Sequence, residues 1–297
     1  MRTILCPLCE HDHTTPVAQN RRLGLTITTV ACRDCGLVYH NPVIEEQDRL
    51  NLEVSSRTWH TGDAGLTRQL RRLDKRWHLQ WPMLQPWLPP GGRVLEIGCG
   101  LGLVGGRLKD RGAQVWEVEP DRDQAAYARD HYGLDVFPGR FEEAGLAQAP
   151  FDLIVASHVI EHFQEPLAFL QRLRTCAHDG TRLFLETPNI LAPKVSFRRM
   201  FSPAHNFYFA PPTLGWLLDK AGWQVEKSLI WRRDAFQIMA RPGAPRLPAR
   251  DSRVPRQVLQ AIARHRYLYY LKLLFIWRKI PWWQQHWMYQ PRSGAAD

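Results

Sequence analysis

Two histidines and a glutamate in "HVIEH", His158 to His162, spell H-x-x-E-H. On a helix that spacing presents two imidazoles to a zinc ion and a carboxylate to a water molecule. Near the start, Cys6, Cys9, Cys32 and Cys35 form two C-x-x-C pairs with 22 residues between them. Each pair can fill two corners of a tetrahedron, so the four together predict a closed, structural zinc site with no position left for catalysis. Gly36 relaxes the backbone after the second pair, whereas Glu10 stands where the first pair would ordinarily have its glycine. A third group is "LEIGCGLG", in which Gly98, Gly100 and Gly102 follow an apolar run. Glycines placed so let backbone amides approach a ligand at the start of the next helix.

The elements that must carry these groups alternate between short apolar, β-branched runs and helical patterns from about residue 91 onward. Val94 to Ile97 predicts a strand, and "AQVWEVEPD" a second one ending in Glu119, about 20 residues after the glycine turn, where a carboxylate can accept both hydroxyls of a ribose. A helix capped by Asp121 follows, then strands at "LDVFPG" and "FDLIVAS", a helix from Pro166 to Gly180, and a strand at "TRLFLETPN". That order predicts an α/β, Rossmann-like doubly wound parallel sheet over residues 91–242. "HVIEH" then falls at the carboxyl edge of the sheet, where such folds bind ligands. No third ligand stands at the distance zinc hydrolases use, so the stretch is expected to line a ligand pocket. Residues 1–45 read as a small ribbon whose strand "LGLTITTVAC" runs into the second cysteine pair, and 46–90 as a helical lead-in stopped by Pro86, Pro89 and Pro90.

The remaining segment, 243–297, is a helical extension of a different composition. From Arg241 onward there are 11 Lys and Arg against 2 Asp, which is nearly the whole of the formal net charge of +10. On a helix, Arg264, Lys272, Arg278 and Lys279 share one sector, on which Leu268, Leu271 and Phe275 intrude, and Tyr269, Tyr270, Leu273, Leu274, Ile276 and Trp277 occupy the opposite half. Pro281 stops it, and Trp282, Trp283 and Trp287 follow. A basic sector, a broad apolar face and clustered tryptophans suit an anionic membrane surface; packing of the tail on its own domain is the alternative. No apolar leader follows Met1 and no run approaches the roughly 18 apolar residues of a membrane span. The chain is therefore expected in the cytoplasm, with the tail allowing peripheral attachment to the inner face of the cell membrane. Six cysteines in this length do not make a secreted disulfide framework.

"VLEIGCGLG" with Glu119, "FDLIVASHVIEH" and "LFLETPN" together resemble the class I S-adenosylmethionine-dependent methyltransferases, over roughly residues 91 to 241. The resemblance implies S-adenosylmethionine as cofactor. Glu96 would hold its amino-acid end, Gly98, Gly100 and Gly102 would form the turn, Glu119 would bind the ribose, Phe141 would lie against the adenine, and His158 would line the methionine end. Arg140 stands where many relatives have an aspartate on the adenine amino group. Gly100, Gly102 and Gly105 also spell the G-x-G-x-x-G of nicotinamide enzymes, a reading that leaves Glu96 unexplained.

"CRDCGLVYHNP" and "SPAHNFYFAPPTLGWLLDKAGWQVEK" further resemble bacterial zinc-ribbon methyltransferases that act on sugars and surface glycans, soluble or lipid-linked. For the transfer itself the residues offer His162 and His205 as bases, since imidazole titrates near working pH. Tyr208 could orient a sugar hydroxyl, and Glu161 could orient a histidine. Cys99 and Cys176 read as packing. Two other functions use the same features: an RNA methyltransferase gripping its substrate with ribbon and tail, and an inactive partner subunit that binds the cofactor. Outside the tail the chain is nearly neutral, and the tail's apolar face is broader than RNA binding requires, which argues against nucleic acid.

Overall fold

The computed structural model describes residues 2–22, 25–44, 63–231, 235–247 and 251–279. Strands β1 (Thr14–Arg22), β2 (Leu25–Cys32) and β3 (Val38–His40) make an antiparallel meander that brings the two cysteine pairs together. Helix α1 (Asp63–Leu84) follows and contains Pro82 in its last turn. Then come β4 (Arg93–Ile97), α2 (Leu103–Lys109), β5 (Gln114–Val118), α3 (Arg122–Tyr132), β6 (Asp135–Phe137), β7 (Phe151–Ser157), α4 (Pro166–Thr175) and β8 (Ala177–Pro188). The rest is α5 (Phe197–Met200), β9 (Phe207–Tyr208), α6 (Pro211–Lys220), β10 (Trp223–Trp231), β11 (Ala235–Pro242) and α7 (Arg253–Lys279).

The main sheet has the order β10-β11-β8-β7-β4-β5-β6. Its five strands from β8 to β6 are parallel, and β11 and β10 close one edge antiparallel. This is the Rossmann-like sheet expected from the alternation of elements. β4 and β7 are almost continuously buried because helices cover both faces, which is why they read as unbroken apolar runs. Asp121 caps α3 by accepting from the amides of Asp123 and Gln124 at 3.1 Å, and Gly133 ends it with a φ of 62°. Strand order reverses between β4 and β7, so the crevice at their carboxyl ends is the switch point where ligands bind.

Two boundaries differ from the sequence reading. Helix α4 ends at Thr175, not at Gly180. Ala177 already pairs with Phe151, and the Thr181 hydroxyl donates to the Phe151 carbonyl while accepting from the His178 amide, so residues 178–180 bulge out of β8. β5 stops at Val118 and leaves Glu119 just beyond its end.

The ribbon and the sheet are joined. β9 pairs with β3 as the fourth strand of the ribbon's sheet, and Tyr39, Phe207 and Phe209 share one buried cluster with Leu95, Ile154 and Leu185. α7 lies over the seam. Val254, Val258 and Ile262 are buried in the same cluster, each burial contributing about 1.5–3 kcal/mol. Further along, Tyr267, Leu268 and Tyr270 are exposed. The side chains from Lys272 on and all of residues 280–297, including Pro281, Trp282, Trp283 and Trp287, lie outside the described residues. Among the described residues no helix is long and apolar enough to cross a membrane.

Candidate active site

The turn after β4 is built for a close ligand. Gly98, Gly100 and Gly102 all have positive φ, between 58 and 75°. A Cβ on Gly98 would lie 2.6 Å from Val159, and one on Gly102 2.6 Å from Ala128, so neither position admits a side chain. Glu119 braces the turn from the end of β5. Its carboxylate accepts from the amides of Gly100 at 2.8 Å and Asp121 at 2.9 Å, which fixes it with lone pairs to spare for two ribose hydroxyls.

Behind the turn, Glu96 and Glu117 stand side by side on β4 and β5, 3% and 2% exposed. Burial pushes the Glu96 carboxyl well up, and the neighbouring Glu117 pushes it further; burial raises Glu117 to about 7. Glu96 Oε2 and both oxygens of Glu117 have no well-aligned partner among the described residues beyond one another and Cys99. An orphaned buried carboxyl fits a cationic ammonium, the group Glu96 was expected to hold. Phe141 is packed edge-on to Phe169, with the Arg172 guanidinium 5.1 Å from its ring.

Across the crevice lies "HVIEH". It is not the helix that a zinc hydrolase needs. His158 leaves β7 with a φ of 56°, a left-handed conformation that costs a non-glycine residue about 1–3 kcal/mol and concentrates at functional sites. Only Ile160–His162 form a turn, of the tight 3-10 kind. His158 and His162 therefore diverge. His158 faces Glu186 Oε1 at 3.1 Å and Glu161 Oε1 at 3.3 Å. Burial opposes its charge, but the two carboxylates prevail and raise it to about 9. Glu161 is buried too, yet His158 and the other nearby histidines bring it down to about 2. The pair is thus an imidazolium between two carboxylates.

This linkage has a sign. Because the His158 pKa rises on folding, its stabilisation is complete below the ordinary value of 6.5 and is lost as pH climbs through about 9. The melting temperature of the native chain is expected to fall between pH 6.5 and 9, and the His158→Gln variant to show a flatter profile across that window. A native profile as flat as that of the variant would contradict the charged pair.

His162 instead donates from Nδ1 to the Ala204 carbonyl at 2.7 Å and meets His205 ring to ring, 4.8 Å between centroids. Burial lowers the His205 pKa to about 4, so its imidazole is neutral. Tyr208 is 4% exposed and its hydroxyl donates to the Ser202 carbonyl at 3.1 Å, beside the ring of His40. It joins ribbon to core with its ring 6.0 Å from that of His205, and the hydroxyl expected to orient an acceptor is engaged by that carbonyl.

The structure adds residues that the sequence did not single out. Glu186, in the middle of "LFLETPN", collects His158, Gln237 at 2.7 Å and Gln80 at 3.3 Å; Gln80 comes from α1 and also donates to Ser157. Asn206 ties the His205 loop down: its amide donates to the Glu161 carbonyl and its side chain to the His162 carbonyl, each at 2.8 Å. A charged residue inside an apolar strand was a signal for Glu186; nothing in the sequence pointed to Gln80 or Asn206.

In the ribbon, Cys6 and Cys35 sulfurs are 3.5 Å apart and Cys9 and Cys32 3.4 Å, all four side chains being buried. The two turns match. The Glu10 amide donates to the Cys6 carbonyl as the Gly36 amide does to that of Cys32, and Glu10 takes the glycine-like φ of 64°.

The profile of the family described as "Methyltransferase domain" matches residues 66–228, more than half of the chain. An uncharacterized methyltransferase of Staphylococcus carnosus is 39% identical over 100 residues, covering 32% of this chain and 47% of its own. A probable S-adenosylmethionine-dependent methyltransferase of Mycolicibacterium smegmatis is 28% identical, covering 58% and 66%. A tRNA U34 carboxymethyltransferase of Methylococcus capsulatus is also 28% identical, covering 60% and 63%. The chain thus spans between about half and two thirds of the length of these relatives. Among solved structures, the 1,6-didemethyltoxoflavin-N1-methyltransferase of Burkholderia thailandensis aligns with a TM-score of 0.56 at 15% identity, over 76% of this chain and 99% of that one. That likeness shows the fold.

Proposed function

The chain belongs to the methyltransferase domain family, and from that premise we propose that it is an S-adenosylmethionine-dependent enzyme that methylates a hydroxyl oxygen of a sugar or surface-glycan acceptor. The observation that carries the proposal is the meeting, at the switch point, of two half-sites so close that a Cβ on Gly98 would lie 2.6 Å from Val159. On one side stand the glycine turn, Glu96 and Glu119, which would hold the donor. On the other stand Glu161, His162 and His205, where a hydroxyl would bind and lose its proton. The donor supplies an electrophilic methyl group on a sulfonium; the chain's own residues align it with the acceptor oxygen and exclude water. His158 and Glu186 hold the lip of the cleft rigid. The test is transfer of labelled methyl from S-adenosylmethionine to a panel of soluble and lipid-linked saccharides, with tRNA alongside. Labelled saccharide supports the reading, and label in tRNA alone overturns it in favour of an RNA acceptor, the reading that the name of the Methylococcus capsulatus relative favours.

The cluster of Cys6, Cys9, Cys32 and Cys35 fits zinc. Four thiolates about 2.3 Å from one ion would sit about 3.8 Å apart, close to the spacings here. We expect the ribbon to account for one zinc per chain by metal analysis. Cys6→Ser with Cys35→Ser should lose it and lower the melting temperature by on the order of 10 °C, because the ribbon's sheet also holds β9. Unchanged metal content in that variant would sink the assignment.

The tail remains a proposal as well. Tyr267, Leu268 and Tyr270 extend the exposed apolar surface of α7 toward its basic end. The full chain is expected to sediment with anionic vesicles and a chain ending at Leu271 to sediment markedly less; equal sedimentation would leave the tail without a membrane role.

A further inference from the structure

Glu161, His162 and His205 bring one carboxylate oxygen and two imidazole nitrogens within 4.8 Å of one another. We infer that this cluster is a second metal site, distinct from the ribbon, that binds a divalent cation of the Mn2+, Fe2+, Co2+ or Zn2+ class and through it an oxygen of the acceptor. The inference rests on the methyl-transfer reading for what the cation does, and on geometry for where it sits.

The ligands arrive from two segments held in fixed relation. Glu161 and His162 are neighbours on the 3-10 turn after β7, and His205 comes from the loop before β9. Asn206 fastens that loop to the turn through the carbonyls of both Glu161 and His162. Each ligand from the turn is also oriented from behind, as groups around metals are. Glu161 Oε2 accepts from the Thr187 hydroxyl at 2.9 Å. His162 donates from Nδ1 to the Ala204 carbonyl, so in the neutral ring the lone pair lies on Nε2. Glu161 Oε1, in a residue 1% exposed, receives no aligned hydrogen bond among the described residues, although the His158 ring stands 3.3 Å away. One buried carboxylate oxygen beside two imidazole nitrogens is a donor set of the kind that holds a transition ion.

Donor chemistry narrows the ion. Two imidazoles and a carboxylate favour first-row transition ions over Mg2+ or Ca2+, which prefer oxygen throughout. Three protein ligands leave positions open, unlike the four thiolates of the ribbon. A hydroxyl, or two adjacent hydroxyls, of the acceptor would fill them. Coordination would then make that hydroxyl acidic enough to release its proton to solvent, so His162 and His205 would serve as ligands.

The experiment titrates Mn2+ into the full-length chain carrying one equivalent of zinc, which the four thiolates take first, following Mn2+ by electron paramagnetic resonance, and titrates S-adenosylhomocysteine in parallel. One Mn2+ per chain is expected, weakened at least tenfold in His205→Ala and in the isosteric Glu161→Gln, with circular dichroism and S-adenosylhomocysteine binding retained. Two results would overturn the site: no Mn2+ binding by the zinc-loaded native chain, or equal binding by both variants. S-adenosylhomocysteine binding without Mn2+ would sink only the cation; Mn2+ binding without S-adenosylhomocysteine would sink the methyl-transfer reading and leave the site.

Discussion

Glu119→Ala is expected to weaken S-adenosylhomocysteine binding by at least about 100-fold in a calorimetric titration, with the circular dichroism spectrum of the native fold. Two hydrogen bonds from ribose hydroxyls to a carboxylate are worth about 1.5–3 kcal/mol each, and each 1.4 kcal/mol is tenfold in affinity. The carboxylate has a second task. It anchors the Gly100 amide, so its removal also loosens the turn on which the ligand rests. Gly98→Ala should lose binding by a different route, since the new methyl group would collide with Val159 and sit at a φ of 70°. Retention of native affinity by Glu119→Ala would mean that the ligand lies elsewhere.

His205→Ala is expected to lower kcat by about 100 to 10,000-fold, the range for loss of a group on which release of the acceptor proton depends, while S-adenosylhomocysteine affinity stays within about threefold. The separation follows from position. His205 belongs to the loop between α5 and β9 and touches His162, whereas the donor half-site is carried by β4 and β5. A merely structural role would move both quantities, or neither. The measurement is labelled-methyl transfer at saturating donor, beside a titration of the same preparation; an unchanged kcat would remove the histidine cluster from the chemistry.

How much of this was legible depended on the range of the interactions. The parallel sheet was readable because β4, β5 and β7 are buried on both faces and their apolar runs are punctuated by glycines and a capping Asp121. The glycine turn and Glu119 were readable for the same local reason. The conformation of "HVIEH" was not. Its spacing suits a helix, but the Glu186 carbonyl holds the His158 amide and the Glu186 carboxylate holds its ring, so the chain leaves β7 left-handed. The contact depends on a residue 28 positions away. Tyr208 misled for a similar reason: an aromatic hydroxyl near His205 looks available in sequence, and only the pairing of β9 with β3 shows that it is spent inside the ribbon's sheet. Glu10 shows the opposite case, a residue that breaks the local rule and still adopts the glycine conformation, with Lys220 2.8 Å from its carboxylate.

The central claim is that the crevice between β4 and β7 holds S-adenosylmethionine and not a dinucleotide, whose fingerprint Gly100, Gly102 and Gly105 also spell. Its most direct test is calorimetric titration of the native chain with S-adenosylhomocysteine and, separately, with NAD. The expected result is saturable one-to-one binding of S-adenosylhomocysteine and no heat from NAD. Saturable NAD binding with none of S-adenosylhomocysteine would contradict it.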